Sequence, residues 1–308
     1  MRRRTGGFEA VDAFTIGVVS NIGMMTLLAL SAYLLLLVGE VSFGQQAFFG
    51  IGAYAAGIAT ALWGWPLLPA LLFAALLGAA TQFAIAIPTL RLRGFYFSIA
   101  TLAFAEIVRI LFELFHYQRE IGGRLVGPEG EHGFRDVRYA FDNGITPLDT
   151  LLVIWALVGF VLAAFAGLER SRFGVRLRMI GEDDVLAALN GIDVTRYRLA
   201  VSAGAGALAA CAGGFFIHSV TYVEPGVFGV MLGVHALAYG LIGGLGTAFG
   251  PLLGVCLDIG FLESFQSLSQ YRMVLFGGLV VLLLVMRPRG LLDETAVHRL
   301  GRLFRGAR

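Results

Sequence analysis

The run "TLAFAEIVRILFELF", residues 101–115, is apolar except for Thr101 at its start and the trio Glu106, Arg109 and Glu113. The i, i+3 and i+7 spacing of the trio places all three side chains on one helical face, where the guanidinium can pair with both carboxylates. Charges inside hydrocarbon cost several kcal/mol, so Glu106 and Arg109 mark either an ion pair that fixes helix packing or groups that line a transport route. A second polar group is in "GEVSFGQQAFFGIGAYAAG", residues 39–57, where Glu40, Ser42, Gln45 and Gln46 lead into an apolar run. Amides and hydroxyls can bind the carboxylate and ammonium of a small zwitterion without fixing a net charge. They can equally satisfy free backbone groups at a helix break.

The third group is "ERSRFGVRLRMIGEDDVLAALNGIDVTRYR", residues 169–198, with six arginines and five carboxylates between two apolar runs. Within it, "EDDVLAALN" opens with three acids suited to the positive end of a helix and presents Val185, Leu186 and Leu189 as one apolar face. Gly191 follows where a C-terminal cap belongs. In the preceding "RSRFGVRLRMI", Phe173, Leu177 and Ile180 share a face among four arginines. Such helices either lie flat in lipid headgroups or dock into a protein, and acids clustered at one end favour docking.

The elements that carry these residues are membrane spans. The chain has 308 residues, 57% hydrophobic and only 14% charged, and its mean hydropathy of +0.79 lies outside the range of soluble domains. Apolar runs long enough to cross a bilayer fall at 13–38, 44–62, 67–88, 95–115, 149–168, 199–220, 231–262 and 271–286. They predict an all-α polytopic membrane protein of about eight hydrophobic segments, with the first run a retained span rather than a signal peptide. Lysine is absent, all 23 basic residues being arginine. A GxxxxGK[ST] phosphate loop needs its lysine, so ATP-driven transport here requires hydrolysis on another polypeptide. There is no HExxH or GxSxG, the five histidines are scattered, and Cys211 and Cys256 are far apart, so neither catalytic residues nor a metal site is expected.

Arginine-rich short loops stay cytoplasmic. Arg2–Arg4, Arg91 and Arg93, the 169–198 segment and the tail 287–308 hold 17 of the 23 arginines and are expected to share that side, with both termini cytoplasmic. Three apolar runs separate Arg4 from Arg91, so one must fail to cross. The glycine-bearing run 44–62 is the candidate, as a short or re-entrant element. The same parity argument makes 231–262, with Gly243, Gly244, Gly246, Gly250 and Pro251, bend back or break. Two such segments in comparable places suggest an internal structural repeat around a substrate path, while glycines at four-residue spacing also serve close helix packing. The loop 116–148, of mixed charge and too long for a simple connection, is read as extracytoplasmic: a surface for a soluble partner, or merely solvated.

The stretches "VGEVSFGQQAFFGIGAYAAG", "LRLRGFYFSIATLAFAEIVR", "SRFGVRLRMIGEDDVLAALNGIDVTRYRL", "LIGGLGTAFGPLLG" and "MRPRGLL" cover most of residues 38–292, in order. They resemble the permease subunits of branched-chain amino acid ABC importers, of the LivM type. The resemblance implies one transmembrane permease domain over 1–308 in a bacterial inner membrane, with a sister permease, two ATPase subunits that hold ATP and Mg, and an extracytoplasmic binding protein. It implies no nucleic-acid partner. It assigns the ATPase contact to Arg172, Gly174, Arg176, Arg178, Ile180, Glu182, Asp183, Ala187, Ala188 and Gly191, with 169–198 as the coupling loop. The chain departs from the family pattern at Gly181, where members often carry arginine, and in "SFGQQAF", where they read closer to "SLGHAAF". Permeases for urea and other small amides or acids share the pattern. A self-sufficient ion-coupled transporter using Glu106 is the reading from a different class.

Overall fold

The computed structural model describes residues 6–92, 94–121, 123–262, 272–287 and 290–292. Arg2–Arg4, Arg93, Arg289 and the tail from 293 onward lie outside the described residues. In chain order, α1 (Gly6–Leu36), α2 (Gln45–Ala61), α3 (Leu67–Thr89) and α4 (Phe95–Leu114) lead to the loop 116–148. That loop holds strands β1 (Arg119–Ile121), β2 (Arg124–Pro128) and β3 (Phe134–Arg135) and the short α5 (Tyr139–Asp142). Then come α6 (Pro147–Arg170), α7 (Arg172–Glu182), α8 (Asp184–Leu189) and α9 (Val194–Val220). The run 231–262 becomes α10 (Val230–Gly243) and α11 (Phe249–Val255), the latter continued by π-helical turns over Cys256–Leu262, and α12 (Arg272–Met286) follows. All eight apolar runs are helical, because inside lipid the backbone must satisfy its own hydrogen bonds. Among the described residues, five helices are long and apolar enough to cross a membrane.

The core is built around α9, which packs against α1, α2 and α3. Its small residues allow backbone-to-backbone approach. A Cβ on Gly213 would lie 1.8 Å from the Phe49 carbonyl oxygen of α2, and one on Gly206 would lie 2.3 Å from the Gly78 oxygen of α3. The glycines of α2 serve the same purpose and do not break it. A Cβ on Gly52 would meet the Ala210 oxygen at 2.0 Å, and one on Gly57 would meet Phe134 and Ile217. The expected short segment 44–62 is thus one continuous 17-residue helix.

The run 231–262 does break. Gly244, at φ +97°, ends α10, and α11 turns back against it so closely that a Cβ on Gly243 would sit 1.7 Å from the Gly250 oxygen. The 116–148 loop is anchored rather than merely solvated. β1 and β2 pair antiparallel, β2 pairs with β3, and Phe134 and Val137 are fully buried. Phe134 also bridges to Val223 beyond the end of α9.

One end of the bundle gathers Val38–Val41, Leu92, Gly94, Phe95, Ile180–Asp184 and Arg198 around a shared cleft. The 290–292 segment joins that end by bonding to Ile242, Gly243 and Gly246. The start of α1 is elsewhere: Ile16, Gly17 and Ser20 line a pocket with Phe141, Pro147 and Thr221 at the opposite end. The expectation that Arg2–Arg4 share a side with Arg91 falls on residues outside those described. Since α2 is unbroken, α1, α2 and α3 make three traverses between the start of α1 and Arg91, and an odd number puts them at opposite ends.

Candidate functional site

The polar residues at the start of α2 lie in the bundle interior. Gln45 and Gln46 are 0% exposed and Ser42 is also buried. Ser31 of α1 donates to Gln45 Oε1 at 3.1 Å, but Gln45 Nε2 and both polar atoms of the Gln46 amide have no partner among the described residues. Gly233 of α10 makes room for this amide, since a Cβ there would lie 2.0 Å from Gln46 Oε1. A buried amide without partners costs about 1–3 kcal/mol, so Gln46 is expensive to keep for packing alone. Gln46→Leu is expected to hold or raise the thermal midpoint of the purified protein while lowering solute uptake. A fall in stability with unchanged uptake would make Gln46 a packing residue.

At the gathered end, a cleft of about 620 Å³ is lined by Glu40, Ser98, Asp184 and Arg198. Arg198, in the first turns of α9, lies between two carboxylates: Nε is 3.4 Å from Glu40 Oε1 and Nη2 is 3.6 Å from Asp184 Oδ2. It thereby links the 37–44 connection to α8. Backbone contact reinforces the link: Gly39 has φ +77°, and a Cβ on Gly181 would lie 2.4 Å from the Leu37 oxygen. A second joint ties this segment to the break after α10. Glu169 Oε1 accepts from Tyr33 and, at 2.8 Å, from the Ala248 amide, and Arg178 Nη2 donates to the Gly246 oxygen at 3.0 Å.

Glu40 is only 7% exposed, and burial pushes its carboxyl up to about 7 from 4.5, with Arg198 pulling the other way. The folded chain therefore holds a proton that the unfolded chain releases. This contribution to stability is complete below 4.5 and is lost as pH rises through about 7. Glu40→Gln is expected to match the wild type in thermal stability below pH 4.5 and to exceed it by a margin that grows up to about pH 7 and then levels off. A margin independent of pH would refute this role for Glu40.

The charged segment itself is two capped helices. Ser171 Oγ accepts from the Gly174 amide to start α7, and Asp183 Oδ1 accepts from the Val185 and Leu186 amides, both at 2.9 Å, to start α8. Asn190 closes α8, and Gly191 takes φ +80°. Leu177 and Ile180 are buried while Val185, Leu186 and Leu189 are exposed, Leu189 to 80%. The apolar face of α8 is thus turned away from its own chain. Beside it, Arg170, Arg172, Arg176 and Arg196 line a second cleft with Gly191 and Tyr197.

Residues 14–285 match the family described as the branched-chain amino acid transport system / permease component. The chain belongs to this permease family. It is 30% identical to the high-affinity branched-chain amino acid transport system permease protein LivM of Salmonella typhimurium, over 94% of this chain and 71% of that protein. The LivM protein of Escherichia coli K12 is similar to the same extent. A probable branched-chain amino acid transport permease protein LivH of Methanocaldococcus jannaschii is 28% identical over 88% of this chain and 87% of that one. No solved structure matches significantly.

Within this permease, the structure brings Glu40, Ser42, Gln45 and Gln46 together along the 37–44 connection and the start of α2. It leaves Glu106 and Arg109 on the outward side of α4, where among the described residues they pair with each other and with Glu113. Of the ten residues at which the resemblance implies an ATPase contact, Arg172, Arg176, Glu182, Asp183, Ala188 and Gly191 are exposed. Gly174, Ile180 and Ala187 are buried and Arg178 is half-buried. These four lie on the side of the segment that packs against the bundle, because amphipathic helices must bury one face. The sequence reading missed Arg198, Asp184, Glu169 and Tyr33 as a set. Their one signal was membership of, or proximity to, a charged segment beside an apolar run, and pairing across 136 or more residues, as between Tyr33 and Glu169, leaves no local trace.

Proposed function

We propose that this permease is one half of a transmembrane pair in an ABC importer that passes branched-chain or related amino acids inward, driven by separate ATPase subunits that carry ATP and Mg. A binding protein delivers the solute on the side of the 116–148 loop, and the gathered end with the 169–198 segment faces the cytoplasm. The observation that carries this reading is the α7–α8 segment. It turns an apolar face outward while being joined inward to both non-helical interruptions of the bundle, 37–44 through Arg198 and Gly181, and 244–248 through Arg178 and Glu169.

In this mechanism the ATPases grip α8 and move α7 with it. The displacement reaches the start of α2 through the Glu40–Arg198–Asp184 bridge and the α10–α11 turn through Arg178. The ATPases must bind two permease states with different affinity, since equal affinity would transmit nothing. The amides of Gln45 and Gln46 would hydrogen-bond the solute zwitterion during passage. Urea-like cargo fits the same amides, and competition between leucine and urea in uptake separates the two.

The test is reconstitution with the adjacent ATPase chains: uptake of branched-chain amino acids must require ATP and survive an uncoupler. Uptake that persists without nucleotide and collapses with the uncoupler would support ion coupling instead. Leu186→Glu with Leu189→Glu is expected to abolish ATPase co-purification while the permease stays inserted. A retained complex with normal uptake would remove α8 as the docking helix.

A further inference from the structure

The outward faces of the long helices differ in one respect. On α3, Leu68, Leu72, Leu76, Phe83 and Ile87 are exposed, and no Asp, Glu or Arg occurs between Leu67 and Thr89. The exposed face of α6 is likewise apolar from Leu152 to Phe160. Such surfaces suit lipid. On α4, the side chains of Glu106, Arg109 and Glu113 are 40%, 22% and 30% exposed. Arg109 Nε donates to Glu106 Oε1 at 2.8 Å and Nη1 donates to Glu113, so the ion cluster is closed within one helix and joins no neighbouring helix among the described residues. Two carboxylates and one guanidinium leave it one negative charge in excess. Glu106 lies eight residues before Leu114, about 12 Å from the nearer helix end at 1.5 Å per residue. Lipid is a costly neighbour for such a group.

We propose that this face of α4 is where the sister permease packs, presenting a cation or amide donors to the excess carboxylate. A second copy of this chain packed with this cluster on the two-fold axis would bring like charge against like charge, which is destabilising. Two differently named permease proteins of this similarity occur in one organism, LivM and LivH of Escherichia coli K12. This inference rests on the reading of the chain as half of a permease pair.

A photo-crosslinking amino acid in place of Ile107 or Ile110, in the full complex co-expressed with the adjacent permease chain, should capture that chain, whereas the same probe in place of Leu72 should not. Glu106→Gln with Glu113→Gln should lower recovery of the pair about tenfold, equal to ~1.4 kcal/mol, with insertion unchanged. Capture of lipid alone, or of a second copy of this chain, at positions 107 and 110 in a preparation that transports with ATP would overturn the interface while leaving the function intact. A transport-competent preparation without any second permease would overturn the pair itself.

Discussion

Replacing Arg198 by Ala is expected to uncouple the permease. Glu40 and Asp184 would lose the cation between them, and removing one partner of a buried ion pair costs about 3–5 kcal/mol. The effect should lie near the lower bound, because Asp184 keeps some solvent exposure and Glu40 can escape its isolation by taking up a proton. Uptake is expected to fall within the range of a lost allosteric coupling, roughly 5- to 150-fold, while ATPase subunits still co-purify through α8. The stability defect should be greater at pH ~8 than at pH ~6, since Glu40 stays neutral at the lower value. ATP hydrolysis measured alongside uptake separates uncoupling from misfolding: hydrolysis that continues without transport is the expected result. Unchanged uptake in Arg198→Ala would remove the bridge from the mechanism.

A larger structural loss is expected from one added methyl group on α9. In Gly213→Ala the new Cβ would meet the Phe49 oxygen at 1.8 Å and the Phe49 carbonyl carbon at 2.7 Å. Both are backbone atoms, so no rotamer change relieves the clash and α2 must move away from α9. Overpacking typically costs about 1–3 kcal/mol, and more where backbone rather than side chain must yield. Because α2 carries Gln45 and Gln46, the displacement should reach the polar strip as well as the core. The control is Gly159→Ala on α6, where a Cβ meets nothing within 4 Å. It should be neutral or stabilising by up to ~1 kcal/mol, as helix propensity dictates. Size-exclusion profile and thermal midpoint of the two variants test the contrast, and equal behaviour would show that the α2–α9 contact tolerates strain.

The two glycine-rich runs show where local reading stops. Both carry glycines at similar spacing, yet those of α2 accommodate the backbone and side chains of neighbouring segments, whereas Gly244 takes a positive φ that ends α10. Glycine permits close approach and left-handed conformation alike, and the choice depends on neighbours more than 150 residues away in some cases, as with Gly52 and Ala210. The parity argument required 44–62 to fall short of a full traverse, whereas α2 is one continuous helix; Arg2–Arg4, from which that count started, lie outside the described residues. For 231–262, where a φ-positive glycine and Pro251 coincide with a tight return, parity and structure agree.

What the sequence by itself determined is the set of helical segments, the amphipathic character and caps of 169–198, and the family. Hydrocarbon thickness and backbone hydrogen bonding dictate the first, side-chain period and capping chemistry the second, and ordered motifs along most of the chain the third. Tertiary structure alone decided which charges meet. Arg198 finds Glu40 across 158 positions, Glu169 reaches the Ala248 amide across 79, and Glu106, Arg109 and Glu113 meet only one another on an outward face. Helical period says that three side chains share a side of α4; the packing of every other helix decides whether that side looks inward or out.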